Sequence, residues 1–212
     1  MLVILIGPPG SGKGTQGKIL ASELRLPYLS TGDMLRKMIE SGEPIGKSLK
    51  EYVDTGKLIP SDLINNMAKE FISTDECLKG CVLDGYPRSL EQAEFLDNIS
   101  NQPFKVIHFD IKDEEIIKRI SGRFSCSVCN KNYNLYFDKP KIENICDDCG
   151  SSHFTHRRDD NEKIVKERLE VYNTETFPLI EYYRNLDGFY SIDAGKNKEE
   201  IAGLLSDLLK RI

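Results

Sequence analysis

The segment Gly7–Thr15, with the sequence GPPGSGKGT, carries the clearest chemistry in the chain. It follows the apolar run Met1–Ile6 and precedes a helix-forming stretch, which is the context that a phosphate-binding loop requires. Its glycines let backbone N–H groups point inward around a phosphate, and Lys13 adds a full positive charge at the positive end of the helix. A glycine-rich turn without a ligand is the alternative. The placement between strand and helix favours phosphate binding.

One position of this loop departs from the general pattern. Gly14 stands where most phosphate loops have the Ser or Thr hydroxyl that holds Mg²⁺, and Thr15 is one residue further on. Asp84 ends the strand-like run Cys81–Asp84, so a parallel sheet would bring its carboxylate to the edge where the loop lies. Asp84 then either reaches Mg²⁺, directly or through water, or forms an Asx turn before Gly85.

Arginines are spread widely along the chain. Taken singly, each is typical of a solvated surface charge. Gathered around one phosphate loop, they would provide bidentate and permanently charged contacts to phosphate. The set is Arg36, Arg88, Arg119, Arg123, Arg157, Arg158 and Arg168.

Four of the six cysteines form two Cys-x₂-Cys pairs that are separated by sixteen residues. This spacing is typical of zinc sites with four thiolate ligands, with free thiols or disulfides as alternatives. Asn130 and Gly150, which follow the pairs, tolerate the left-handed backbone of a knuckle turn. Four protein ligands leave no open position, so the predicted metal is structural. The pairs are Cys126/Cys129 and Cys146/Cys149.

The elements that must position these residues alternate between short apolar runs and helical patterns. This alternation predicts an α/β fold, with a parallel sheet flanked by helices on both faces. The predicted strands are Leu2–Ile6, Cys81–Asp84, Val106–Asp110 and Phe189–Asp193. The predicted helices are Lys13–Leu24, Thr31–Ser41, Ile45–Thr55, Ser61–Phe71, Ser89–Ile99, Asp113–Ser121, Asn161–Arg184 and Lys198–Lys210.

Two segments interrupt the alternation and are predicted to be insertions built out from the sheet. The first, about Ser30–Ile59, has helical and turn pieces and no convincing strand. The second, about Gly122–Asp159, carries the paired cysteines and shows no helical period. We expect Tyr133, Tyr136 and Phe137 to form the small core of this second segment.

Composition narrows the possible classes. The 212 residues are 39% hydrophobic and 30% charged, which excludes disordered and collagen-like chains. A net charge of −5 disfavours a protein that follows a nucleic-acid backbone. The alternative is a nucleotide-gated zinc-ribbon module that binds nucleic acid. The second segment has six basic and five acidic residues, and this balance disfavours a surface that faces nucleic acid. The run Met1–Ile6 is too short to span a bilayer and has no basic region before it, so we expect a soluble, cytoplasmic protein.

Taken together, four segments resemble the successive motifs of the adenylate kinase family, in the same order and at the same spacings along essentially the whole chain. They are Gly7–Thr15, Thr31–Arg36, Asp84–Arg88 with Gln92, and Arg157–Asp160. The cysteine segment resembles the lid of the long, zinc-binding form of that family. The resemblance implies a P-loop kinase fold and reversible phosphoryl transfer from MgATP to AMP, giving two ADP. It also implies three core segments (1–29, 60–121 and 160–212), an AMP-binding insertion (30–59) and a zinc-binding lid (122–159).

The resemblance further implies a role for individual residues. For ATP it assigns Gly10, Ser11, Gly12, Lys13, Gly14, Thr15, Arg119, Arg123, Asn132, Tyr133 and Asn197. For AMP it assigns Thr31, Arg36, Lys57, Leu58, Ile59, Gly85, Tyr86, Pro87, Arg88, Gln92, Arg157 and Arg168. For catalysis it assigns Lys13, Asp84, Arg88, Arg123, Arg157 and Arg168.

The resemblance also implies cofactors and partners. It assigns a structural zinc to the four paired cysteines. It implies Mg²⁺ held largely through waters, with Asp33, Asp84 and Asp159 as outer-sphere partners. The family is usually monomeric, so we expect a monomer that acts on ATP, AMP and ADP without nucleic acid or membrane.

The base specificity depends on two residues that also have ordinary structural explanations. Thr31 is equally suited to be a helix N-cap, and Gln92 is typical of an exposed helical position. A kinase for UMP and CMP, or for GMP, is therefore the alternative within the same class. Phosphoryl transfer needs positioning and fixed positive charge more than a nucleophilic side chain, which agrees with the abundance of arginine.

Overall fold

The computed structural model describes residues 1–42 and 44–209. The strands are β1 (Leu2–Ile6), β2 (Tyr28–Ser30), β3 (Cys81–Asp84), β4 (Phe104–Asp110), β5 (Arg123–Cys126), β6 (Asn132–Asn134), β7 (Phe154–Thr155) and β8 (Phe189–Asp193). The helices are α1 (Lys13–Leu24), α2 (Thr31–Glu40), α3 (Pro44–Thr55), α4 (Ser61–Ile72), α5 (Leu90–Ile99), α6 (Asp113–Ser121), α7 (Glu162–Val171), α8 (Pro178–Tyr183) and α9 (Lys198–Leu209). Within these described residues no helix is both long and apolar enough to cross a bilayer.

A five-stranded parallel sheet, in the order β2-β3-β1-β4-β8, forms the centre of the molecule. Every residue of β1 is buried, as expected for a central strand that is covered on both faces. Leu2, Ile4 and Ile6 pack into the core on one face, while Val3 and Leu5 pack into the core on the other. The predicted α/β class, with helices on both faces of a parallel sheet, is confirmed.

The predicted elements of the sheet and its helices are largely confirmed, with two informative exceptions. Strand β2 was not predicted, because three residues at the sheet edge are too few to show an alternating pattern. The predicted helix Asn161–Arg184 is interrupted by a π-helical turn at Tyr172–Thr176. Helix α8 then restarts with Pro178 in its first turn, where the missing N–H costs nothing. The predicted C-terminal residue Lys210 of the last helix lies outside the described residues.

The segment 30–59 consists of the helices α2 and α3, which pack against each other. Its first residue, Ser30, ends β2, so the expectation that this segment contains no strand is wrong by one residue. The Ser30 hydroxyl accepts a hydrogen bond of 3.3 Å from the Asp33 N–H and caps α2. Thr31, which was also suited to be the cap, is therefore free for another role.

The segment 122–159 contains a three-stranded antiparallel sheet in the order β6-β5-β7. Its small core is formed by Phe124, Tyr133 and Phe154, with ring centroids 5.4–5.7 Å apart. The prediction that Tyr136 and Phe137 belong to this core is wrong, because both are more than half exposed. They lie in the turn that follows β6, beyond the last residue paired with β5.

Candidate active site

A cavity of about 750 Å³ lies between the phosphate loop, the segment 30–59, the segment 122–159 and the loop before α9. It lies at the carboxyl ends of β1, β2 and β3, where ligands bind in open parallel sheets. Of the predicted nucleotide-binding and catalytic residues, all but Ser11 and Tyr86 line this cavity. The fold therefore brings residues from position 10 to position 197 to one place.

The phosphate loop has the predicted relation to its strand and helix. Gly12 precedes α1 with φ +94°, a backbone conformation that a side chain at this position would strain. Lys13 Nζ donates hydrogen bonds to the Gly7 and Pro8 carbonyls at 2.5 and 2.8 Å. Burial is the main cause that lowers the pKa of Lys13 to about 7; the charge of Asp84 opposes this shift and the positive charges of neighbouring arginines add to it.

Two predicted contacts do not place their side chains in the cavity. Ser11 is fully buried, and its hydroxyl accepts a hydrogen bond of 3.2 Å from Lys13 Nζ. Tyr86 is also fully buried, and its hydroxyl donates to Asn65 Oδ1 at 2.8 Å and lies 3.2 Å from the Gln92 carbonyl oxygen. Tyr86 thus supports the start of α5 from within the core.

Two arginines are held in the cavity by neighbouring aspartates. Arg168 Nη1 donates a hydrogen bond of 2.6 Å to Asp159 Oδ2. Arg123 donates to both carboxylate oxygens of Asp160 through Nε and Nη2. Burial opposes the ionisation of Asp159, but the combined positive charges of Arg168 and three further arginines outweigh it and lower the pKa of that carboxyl. Asp160 was not predicted as a site residue, although it belongs to the quoted motif Arg157–Asp160.

Two further arginines converge on Asp33 at the border of α2. Arg36 Nη2 donates to Asp33 Oδ1 at 2.5 Å, and Arg157 Nη2 lies 3.9 Å from the same oxygen. Burial, with repulsion from the nearby arginines, lowers the pKa of Arg157 to about 10. The same causes lower the pKa of Arg168 to about 10, against attraction by Asp159. The lining thus carries more positive charge than its aspartates neutralise, which favours a polyanionic ligand. The side chain of Arg158 lies outside the described part of the structure.

The corner that follows β3 connects several predicted AMP contacts. Thr31 Oγ1 donates a hydrogen bond of 2.8 Å to the Gly85 carbonyl, which also accepts from Arg88 Nε at 2.8 Å. Gly85 has φ +79°, and a Cβ there would lie 2.7–2.8 Å from Arg88 Nη2 and Thr31 Oγ1. The Arg88 N–H donates to Gln92 Oε1 at 2.8 Å. Gln92 is buried, so the alternative of an exposed helical glutamine is wrong.

The remaining predicted contacts lie at the borders of the cavity. Lys57, Leu58 and Ile59 form the connection from α3 to α4. Asn132 Oδ1 accepts from Arg157 Nη2 at 3.2 Å. Asn197 Oδ1 accepts from the Glu200 N–H at 2.9 Å and so serves the first turn of α9.

Sequence reasoning missed an aromatic position at the far end of the cavity. Phe137 lines the cavity, with Arg119 Cζ 5.7 Å and Lys118 Nζ 5.4 Å from its ring centroid. Arg119 Nη2 is fixed by the Gly195 and Lys196 carbonyls, at 3.3 and 3.2 Å. An exposed ring and a guanidinium plane in one cavity form a surface suited to a flat heterocycle. The signal in the sequence that could have indicated this position is the aromatic pair Tyr136-Phe137, which is followed by the polar and charged residues Asp138 and Lys139.

Three carboxylates line the cavity near the arginines and fit a hydrated Mg²⁺ bound with a polyphosphate. Asp33 and Asp159 are each bound to an arginine. Asp84 instead accepts a hydrogen bond of 2.6 Å from the neutral phenol of Tyr28.

The four paired cysteines form a compact cluster, and their ligand atoms all lie within 4.8 Å of one another. The Sγ atoms of Cys126 and Cys149 are 3.5 Å apart, and those of Cys129 and Cys146 are 3.4 Å apart. A tetrahedral zinc with Zn–S bonds of about 2.3 Å needs sulfurs about 3.8 Å apart, so the cluster fits a metal ion.

The backbone around this cluster supports the same geometry. Asn130 and Gly150 have φ of +59° and +72°, which confirms the predicted left-handed turns. The N–H groups of these two residues bond to the carbonyls of Cys126 and Cys146 and close the two knuckles. Tyr133, a predicted ATP contact, directs its hydroxyl to Cys146 Sγ at 3.4 Å and accepts from the Asp147 N–H at 2.7 Å.

A phosphate loop at the carboxyl edge of a parallel sheet, opposed by arginines from the inserted segment 122–159, defines a P-loop phosphotransferase that acts on nucleotides. The chain belongs to the adenylate kinase family, whose model, described as "Adenylate kinase", matches residues 5–187. This confirms the resemblance and the P-loop kinase fold. Members of the family are nucleoside monophosphate kinases.

Full-length relatives agree with the family assignment. The adenylate kinase of Rickettsia bellii (strain RML369-C) is 48% identical over 210 residues, which cover 99% of each chain. That of Rickettsia conorii (strain ATCC VR-613 / Malish 7) is 48% identical over the same length and coverage. That of Rickettsia prowazekii (strain Madrid E) is 46% identical over 211 residues, again 99% of each chain. The chain is accordingly an adenylate kinase-type phosphotransferase.

Proposed function

We propose that this chain transfers a phosphoryl group reversibly from MgATP to AMP through charge stabilisation by five convergent cations. The observation that carries the proposal is their common cavity, to which the core and the lid both contribute. An oxygen of the AMP phosphate attacks the γ-phosphorus of ATP. The bond from that phosphorus to the β,γ-bridging oxygen breaks, and its electron pair leaves with ADP. The five cations that stabilise the charge of the transferring group in this proposal are Lys13, Arg88, Arg123, Arg157 and Arg168.

We assign the ATP subsite to the phosphate loop and the lid side of the cavity. The backbone of Gly10–Thr15 and Lys13 Nζ bind the phosphates, and Arg123 reaches the transferring group. The adenine lies on the surface that Arg119 and Phe137 form together, with the guanidinium and the ring 5.7 Å apart. Asn132, Tyr133 and Asn197 border this subsite, with Tyr133 contributing through its backbone because its hydroxyl is engaged at the cysteines.

We assign the AMP subsite to the opposite side of the cavity. Arg36 and Arg88 bind the AMP phosphate, together with Arg157 and Arg168. Because Gln92 Oε1 already accepts from the Arg88 N–H, Gln92 recognises the adenine through its Nε2 donor. Thr31, Gly85, Pro87 and the stretch 57–59 complete the borders of the subsite.

Metal ions have two separate roles in this proposal. When bound with ATP, Mg²⁺ would supply charge neutralisation for the polyphosphate. Asp33, Asp84 and Asp159 hold its water shell, and they line the cavity as that role requires. Zinc binds the four cysteines and has no open position for substrate, so it stabilises the lid without taking part in the reaction.

The two inserted segments have different functions in the proposed reaction. We propose that 122–159 is a lid and 30–59 an AMP-binding segment, and that both close over the core formed by 1–29, 60–121 and 160–212. Closure excludes water, which would otherwise hydrolyse ATP.

Because one chain supplies all the residues of the site, we propose a monomer. We place it in the cytoplasm, where reducing conditions keep the four cysteines able to bind zinc.

A coupled assay of ADP formation tests the proposed reaction. We expect activity that requires both AMP and Mg²⁺, with AMP preferred over UMP, CMP and GMP. Lys13→Ala should lower kcat by at least about 100-fold without unfolding the chain, whereas the exposed control Lys69→Ala should leave it unchanged. Equal turnover with ATP and water alone, or a preference for another acceptor, would contradict the proposal.

A further inference from the structure

The hydrogen bond between Tyr28 and Asp84 connects the sheet edge to the candidate Mg²⁺ site. Tyr28 begins β2, and its hydroxyl donates to Asp84 Oδ2 at 2.6 Å. In the sheet Tyr28 lies opposite Val82, two residues before Asp84, so the phenol extends along the strand toward its carboxyl end. Asp84 is buried and lines the cavity.

Helix α1 leaves room for this phenol at two glycines. A Cβ at Gly17 would lie 2.8 Å from Tyr28 Cε2 and 2.6 Å from Leu5 Cδ1, so a larger residue would displace the ring. A Cβ at Gly14 would lie 3.4 Å from Asp84 Oδ2 and 3.7 Å from the Tyr28 hydroxyl. The phenol and the carboxylate therefore lie directly against the loop position that lacks a side chain.

Most phosphate loops place a Ser or Thr hydroxyl at the position of Gly14, where it orients the metal. In this chain a different hydroxyl, from β2, occupies the adjacent space. Burial and the negative charge of Asp84 raise the pKa of Tyr28, so its hydroxyl stays protonated and donates throughout the neutral range.

We propose that Tyr28 is a positioning residue that fixes Asp84 Oδ2, so that the second carboxylate oxygen of Asp84 is held toward the water shell of the Mg²⁺–nucleotide complex. Tyr28 thereby takes over the orienting role of the hydroxyl missing at Gly14. The inference rests on the proposed function of Asp84. It adds a residue outside the recognised motifs to the machinery of the site.

Calorimetric binding of a bisubstrate mimic, two adenosines joined by five phosphates, tests this role apart from turnover. Affinity is measured with Mg²⁺ and with EDTA for the wild type and for Tyr28→Phe, which keeps the ring packed against Gly17. We expect Mg²⁺ to tighten binding to the wild type. The Mg²⁺ gain is the ratio of the affinity with Mg²⁺ to the affinity with EDTA. In Tyr28→Phe this ratio should fall by about tenfold, as expected for one hydrogen bond to a charged group, while the affinity in EDTA is unchanged.

Two comparisons make the test specific. Tyr182→Phe removes a similar phenol–carboxylate bond, to Asp97 Oδ2 at 2.5 Å on the exposed surface, and should leave the Mg²⁺ gain intact. In an Asp84→Asn background, Tyr28→Phe should have no further effect on that gain. An equal loss of affinity with and without Mg²⁺, or a gain as large as that of the wild type, would overturn the role of Tyr28. A wild type without any Mg²⁺ gain would instead overturn the assignment of Asp84 itself, and the inference with it.

Discussion

Arg168 donates a hydrogen bond of 2.6 Å to Asp159, and the side chains are only 20% and 7% exposed. The neighbouring Asp160 holds Arg123 in the same way. These carboxylates fix the guanidinium groups in the cavity before a nucleotide arrives. Because the donors are already oriented, little reorganisation is needed when charge shifts toward the transferring phosphoryl group.

The geometry of Arg168 predicts that a positive charge alone at this position does not support full turnover. Arg168→Lys keeps a positive charge but loses the planar fork, so we expect kcat to fall by about 100-fold. The matched control is Arg184→Lys, since Arg184 forms an exposed pair with Glu181 on the surface. Steady-state rates of ADP formation measure both variants. A full rate for Arg168→Lys would show that a point charge is enough.

The lowered pKa of Lys13 predicts proton uptake when nucleotide binds. Unliganded Lys13 has a pKa of about 7 and is mostly neutral at pH 8. Bound phosphates raise that pKa, so at pH 8 binding should take up about one proton per chain. The nucleotide phosphates are already ionised at this pH and release none. Calorimetry of the bisubstrate mimic in two buffers of different ionisation enthalpy measures the uptake, which Lys13→Arg should abolish. Absence of proton uptake in the wild type would contradict the lowered pKa of Lys13.

The cysteine cluster predicts one zinc per chain with a structural role. Cys126→Ser should lower the zinc content and reduce the melting temperature by several degrees, because the small aromatic core of the segment 122–159 cannot replace the metal. The chemical step should be affected less than stability. Ser127→Ala, which alters only an exposed hydroxyl bonded to the His153 carbonyl, serves as the control. Metal analysis without zinc, together with an unchanged melting temperature, would show that the cluster is not a metal site.

The adenine position proposed for ATP predicts different effects for two adjacent aromatic residues. Phe137 lines the cavity, whereas Tyr136, equally exposed beside it, does not. Phe137→Ala should raise the KM for ATP by about tenfold and leave the KM for AMP unchanged, since stacking on one base is lost. Tyr136→Ala should change neither constant. A similar rise for both variants would mean that the turn, and not the stacked ring, affects ATP binding.

The fold was predictable where a pattern is long or a motif is local. The phosphate loop and α1 could be predicted from residues that are neighbours in the sequence. Strand β1 could be predicted because its five consecutive apolar residues indicate a buried strand. Strand β2 and the orientation of Phe137 depend on partners far along the chain, namely β3 and Arg119, and three or four residues cannot encode that pairing. Thr31 illustrates the same limit. Its residue type suits a cap, but the cap is Ser30, and only the tertiary contact with Gly85 distinguishes the two.

The gathering of cations around one polyphosphate is tested most directly by a crystal structure with the bisubstrate mimic and Mg²⁺ bound. We expect guanidinium nitrogens of Arg88, Arg123, Arg157 and Arg168 to lie within hydrogen-bonding distance of the phosphate oxygens, with Lys13 Nζ turned from the loop carbonyls onto the chain of phosphates. Phosphates bound elsewhere, or arginines that contact only Asp33, Asp159 and Asp160, would contradict the account.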